Sequence, residues 1–142
     1  MTGGGERIMA DDGADRPAPF RTADPLITAL GPIRWRASDD LVEMSVEPEP
    51  TALNAGGALH GGALSAWLDM AMYELARRRL GACVTISMSV QFLDAGARAP
   101  LALAARFSRA GHGMAFCVAE ALQDGRGIAH GTAIYKKTGA AP

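Results

Sequence analysis

Asp69 stands in a stretch, residues 62–73, that is otherwise apolar almost all the way round. Trp67, Leu68, Met70 and Met72 surround it, and a carboxylate in such company is costly to bury unless it is hydrogen-bonded, paired or put to chemical use. An apolar setting also disfavours the charged form, which strengthens the group as a proton acceptor. Ser65 and Tyr73 are the other breaks in the run, four residues to either side, so all three share one helical face. Nine residues before Asp69 comes His60-Gly61-Gly62. Two glycines where a chain turns into a helix let a ligand approach the backbone closely, and first-turn N–H groups have no partner within the helix. Such a terminus is a donor site for a developing negative charge. Each feature has an ordinary structural reading: an Asp satisfied by backbone donors or a partner chain, and a glycine turn that only admits the helix. A donor site followed by a lone acid inside an apolar helix is the rarer combination. His60 either contacts a ligand or braces the loop.

Positioning these groups falls to a long buried helix expected over about residues 61–79, with Arg77-Arg78-Arg79 at the negative end of its dipole and Gly81 as its stop. The three arginines read as a solvated helix end in preference to a grip on phosphates. Before the helix, residues 51–59 form a loop carrying Asn54. Asp24-Pro25 opens a short helix by N-capping and a first-turn proline, and Gly31-Pro32 ends it. Residues 33–37 and 41–46 read as a hairpin around Ser38-Asp39-Asp40, and Glu47-Pro48-Glu49-Pro50 breaks the sheet. Residues 83–93 alternate most cleanly. Val84, Ile86, Met88, Val90 and Phe92 face one way and are expected to cover the helix; Thr85, Ser87, Ser89 and Gln91 face the other. Strands over residues 101–108, 114–122 and 128–136 follow, joined by turns at Gly111-His112-Gly113 and Asp124-Gly125, which implies an antiparallel meander. The expected class is α+β: one long central helix wrapped by an antiparallel sheet of about five to six strands, with a short N-terminal helix. Residues 1–23, rich in Gly, Asp, Pro and Arg, read as a disordered or loosely ordered tail, and residues 24–142 as one domain.

The remaining features narrow the function by exclusion. A net charge of −1 offers no electrostatic footprint for nucleic acid or an anionic membrane. No apolar run reaches the ~18 residues of a membrane span, and no secretion signal is evident, so the expected location is cytoplasmic. Cys83 and Cys117 lack zinc or redox spacing and read as buried thiols. His60, His112 and His130 are too scattered for a metal site, and no metal or cofactor is expected. There is no G-x-S-x-G elbow, H-E-x-x-H motif or phosphate loop.

Asn54-Ala55-Gly56-Gly57-Ala58-Leu59-His60-Gly61-Gly62, with Asp69 following, resembles the hotdog-fold acyl-CoA thioesterases of the PaaI/4HBT group, and the similarity covers about residues 31–138. The resemblance implies a hotdog fold and hydrolysis of an acyl-CoA thioester to free acid and coenzyme A, which is part of the substrate. Such hydrolysis places negative charge on the carbonyl oxygen, which the Gly61 N–H would stabilise. Asp69 would be the general base or the nucleophile. Asn54 would orient water or bind the carbonyl; His60, Gly62 and Thr85 match family positions near the substrate. Tyr73, where some branches have Thr, is a departure that bears on the acyl pocket and on how the acid is hydrogen-bonded. The resemblance also implies a homodimer with shared sites, often paired into a tetramer. A non-catalytic acyl-CoA-binding hotdog protein and an acyl-thioester dehydratase are the alternatives. Retention of Asp69 argues against the first, and absence of the dehydratases' Asp-then-His loop against the second.

Overall fold

A twenty-residue helix, Gly61–Leu80, crosses one face of a seven-stranded antiparallel sheet in a computed structural model that describes residues 16–139. In chain order the elements are β1 (Ala18–Pro19), α1 (Pro25–Leu30), β2 (Ile33–Ala37), β3 (Leu41–Val46), a 3-10 turn (Pro50–Ala52), α2 (Gly61–Leu80), β4 (Cys83–Phe92), β5 (Leu101–Ala110), β6 (Met114–Gln123) and β7 (Arg126–Lys137). The sheet order is β1-β2-β3-β5-β6-β7-β4. This is the expected helix-on-sheet class with one strand more than the upper bound. The extra one, β1, is two residues that pair with Trp35 and Arg34 of β2. Two residues are too few to show a period of two, so no alternation marked it. Phe20 then packs edge-on against Trp35, ring centroids 4.9 Å apart. Residues 1–15 of the expected tail lie outside the described residues.

Local chemistry sets the helix ends. Asp24 Oδ1 accepts from the Leu26 and Ile27 N–H groups, capping α1. α2 ends at Gly81, whose φ of +79° suits glycine and whose N–H donates to the Arg77 carbonyl. Each arginine of its last turn has a protein acceptor: Arg77 the buried Glu74 carboxylate, Arg78 the Ser38 carbonyl and Asp39, and Arg79 the Gly111 carbonyl. These contacts brace the helix end against two hairpins. Trp67, Leu68, Met72 and Leu75 are fully buried on α2, against Leu101, Leu103, Cys117, Ile128 and Tyr135 of the sheet. Burying each such side chain contributes roughly 1.5–3 kcal/mol.

β4 departs from the alternation read in its sequence. Thr85 pairs with Tyr135 and Ser87 with Ile134, so Ile86 is an extra residue, a β-bulge. Directly paired residues share a face. Tyr135 and Ala133 are buried beneath α2, so Thr85 joins Met88, Val90 and Phe92 on the helix side, while Ser87 and Ser89 face outward. The expectation that one apolar row covers the helix therefore fails. β4 is the sheet's edge, and Val84, Ile86, Met88 and Phe92 remain 48%, 49%, 37% and 55% exposed.

Candidate active site

Two loops hold the start of α2. The Leu59 N–H donates to the Gly96 carbonyl and the His60 N–H to the Ala52 carbonyl, both at 2.8 Å. His60 is the N-cap: its Nδ1 accepts the Gly62 N–H at 2.8 Å. The glycine at 62 follows from this contact, because a Cβ there would lie 3.0 Å from that same Nδ1. With the Gly62 donor satisfied, the Gly61 N–H is the open one of the two glycines' donors; no acceptor among the described residues takes it. The Phe92 ring walls this donor, its Cζ 3.2 Å from where a Cβ on Gly61 would stand. Asn54 belongs to the loop before the helix, where its Oδ1 accepts from the Gly56 and Ala58 N–H groups at 2.9 and 3.1 Å. Its carboxamide oxygen thus shapes the turn.

Asp69 lies two turns along α2, half-buried, facing β4 and β7. The Tyr135 hydroxyl donates to its Oδ1 at 2.6 Å, and the Thr85 hydroxyl reaches the same oxygen at 3.1 Å. Thr85 attains it because the bulge turns that residue inward. Ser65, on the same helical face, donates its hydroxyl to the Gly61 carbonyl at 2.8 Å. Tyr73 makes no hydrogen bond to the acid; its ring lies 6.2 Å from that of Tyr135 and borders an open cleft of about 540 Å³ with Arg77, Cys83 and Val84. Burial raises the Tyr73 phenol above its usual range, with the neighbouring Cys83, Glu74 and Asp69 adding to the effect against an opposing Arg77. Burial, and then the nearby Asp69, push the Tyr135 phenol well up, so it stays a donor.

The structure thus joins Asp69 to Thr85, and joins His60 to Gly61-Gly62, but it does not join these two groups within one chain. Gly61 and Asp69 are eight residues apart along a helix, or ~12 Å at 1.5 Å per residue. Tyr135 is the partner the sequence reading missed. Its signal is faint: on the helix-facing row of β7 it follows Ala129, Gly131 and Ala133, the one large residue with a polar tip among small ones. Among the described residues no group of three His, Cys, Asp or Glu is arranged to hold a metal ion, and no helix is long and apolar enough to cross a membrane.

Comparison with known proteins bears on the family and the fold. The profile of the thioesterase superfamily, 4HBT, matches residues 56–130, more than half of the 142-residue chain. A phenylacetic acid degradation-related protein from Ralstonia eutropha JMP134 is 29% identical and superposes with a TM-score of 0.74 over 82% of this chain and 92% of its own. The E. coli PaaI protein from the phenylacetic acid degradation operon gives 0.75 at 21% identity, over 83% and 87%. A mutant PaaI structure from Thermus thermophilus gives 0.75 at 21%, over 81% and 100%. No curated protein sequence matches. With His60, Gly61, Gly62, Asp69 and Thr85 all inside the matched span and the helix-on-sheet fold shared, this chain belongs to the 4HBT thioesterase superfamily and has its hotdog fold.

Proposed function

We propose that this protein hydrolyses acyl-CoA thioesters, with Asp69 and the Gly61 N–H as its working groups. The observation that carries the reading is the Asp69 carboxylate, held at Oδ1 by Tyr135 and Thr85 on a helix whose first N–H has no acceptor among the described residues. The carbonyl oxygen of the substrate rests on the Gly61 N–H, where helix-end polarity favours negative charge. Asp69 takes a proton from water as the water oxygen bonds to the carbonyl carbon, giving a tetrahedral oxyanion. Its collapse breaks the carbon–sulfur bond, and the departing thiolate of coenzyme A takes up a proton from the Asp69 acid. Direct attack by the Asp69 carboxylate on the same carbonyl carbon, expelling the thiolate and leaving an anhydride for water to open, is the other route. Single turnover in ¹⁸O-water tests for it, since a first-formed acid without the label requires attack by Asp69 with the anhydride opened at the Asp69 carbonyl. Coenzyme A is carried by the substrate, and no further cofactor takes part.

The ~12 Å between Gly61 and Asp69 is too far for both to serve one carbonyl, which must lie about 3 Å from the donor and near the base. A second copy supplies the missing half, so that each site pairs Gly61 of one protomer with the partner subunit's Asp69. Pairing of two such dimers into a tetramer is the further expectation. Met70, Tyr73 and Phe92, which keep exposed surface, suit an aromatic or medium aliphatic acyl group, and the likeness to the Ralstonia phenylacetic acid degradation-related protein favours including aromatic acyl-CoAs.

The test is free-thiol release from a panel of aromatic and aliphatic acyl-CoAs. Asp69→Asn should fold normally and lose roughly 10²–10⁴ in rate, the range of general-base catalysis. Wild-type turnover by Asp69→Asn would refute the assignment, and binding of acyl-CoA with no turnover by the wild type would favour the non-catalytic alternative.

A further inference from the structure

Two hydroxyls converge on one oxygen of Asp69. Tyr135 donates to Oδ1 at 2.6 Å and Thr85 at 3.1 Å, while Oδ2 takes no donor among the described residues. The two donors are unlike. Thr85 is exposed, on the edge strand; Tyr135 is 0% exposed, on β7 between β6 and β4. We infer that Tyr135 is a positioning residue for Asp69: it anchors Oδ1 and leaves Oδ2 as the oxygen that reacts. The inference rests on the reading of Asp69 given above.

Packing alone does not account for the contact. A buried phenol needs an acceptor, and the Asp69 carbonyl lies within reach at 3.1 Å, yet the shorter contact is to the side chain. A hydroxyl of fixed position on one carboxylate oxygen restricts rotation of the group about its own axis, which aims Oδ2. Thr85 meets the same oxygen from β4, and Tyr135 makes the shorter contact.

Tyr135→Phe keeps the ring and deletes the hydroxyl. With side-chain-labelled ¹³C-aspartate, the Asp69 carboxyl resonance, assigned by its loss in Asp69→Asn, should shift in Tyr135→Phe when both are recorded at one pH. A steady-state assay should show kcat falling roughly 10- to 100-fold with KM little changed, as for loss of a hydrogen bond to a charged group. Added to Asp69→Asn, Tyr135→Phe should cost nothing further. An unchanged Asp69 resonance in folded Tyr135→Phe, or an equal loss in the Asp69→Asn background, overturns the role. If Tyr135→Phe does not fold, the ¹³Cζ resonance of Tyr135 carries the test. It should differ between wild type and Asp69→Asn, and identity overturns the role. A wild type inactive on every thioester, with an Asp69 resonance that still shifts in Tyr135→Phe, refutes hydrolysis and supports the anchoring.

Discussion

The two glycines after His60 do different work. Gly62 is small because the His60 ring folds back to cap the helix, and its N–H is engaged by that ring. Gly61 keeps the open donor, and the two can be told apart by substitution. His60 has φ −68° and ψ 136°, the extended geometry that a residue before proline adopts, and Gly61 is the first helical residue, where proline is tolerated. Gly61→Pro therefore deletes the N–H with little cost to the helix, the Phe92 ring shifting by a few tenths of an ångström. Loss of one oxyanion donor is expected to lower kcat by roughly 10²–10³. Gly61→Ala keeps the N–H and meets the same ring, so it should lose less. Steady-state kinetics beside thermal melts checks this; equal losses in the two variants would place the effect in crowding at Phe92 and remove the donor role.

At the scale of elements, the bulge in β4 decides which hydroxyl reaches the acid. The sequence of β4 shows unbroken alternation through Val84, Ile86 and Met88, so periodicity assigns Thr85 to the outer face with Ser87. A bulge leaves no mark in such a pattern, because Ile86 suits a strand wherever it points. Deleting Ile86 removes the extra residue, so plain pairing keeps Thr85 opposite Tyr135 and Ser87 opposite Ile134. The strand should survive, since β4 has ten residues and a full ladder with β7. Thiol release by the deletion variant should therefore stay well above that of Thr85→Val. A folded deletion variant as impaired as Thr85→Val would show that register alone does not deliver the hydroxyl to the acid. The same element marks how far the sequence carried. α2 was legible because its caps are local and its apolar character is continuous. Tyr135 was not, because its contact spans 66 residues and depends on register between β7 and the helix. No local pattern encodes such a pairing.

For the whole molecule, the open question of geometry is the distance from Gly61 to Asp69, and β4 bears on its solution. A ten-residue edge strand with half-exposed Val84, Ile86 and Phe92 is a template for pairing with another chain. Gly61 lies against Phe92, and Asp69 lies against Thr85. With Ile86 the extra residue, face-matched pairing of residue 85 with the partner's residue 92 puts a two-fold axis at Ser89. Antiparallel pairing of two β4 strands about that axis runs the helices side by side in opposite directions, bringing each Gly61 level with the partner subunit's Asp69. Met88→Lys places two like charges beside the axis at a residue already 37% exposed, so it should split the dimer without unfolding the chain. The expected result is a folded monomer without activity, read by light scattering, circular dichroism and thiol release. Mixing Asp69→Asn with Gly61→Pro under subunit exchange tests the same point from the other side. Each mixed dimer collects both lesions in one site and leaves the other intact, so about one native site per dimer should return. A fully active Met88→Lys monomer, or a proven heterodimer that stays inactive, would refute the shared site.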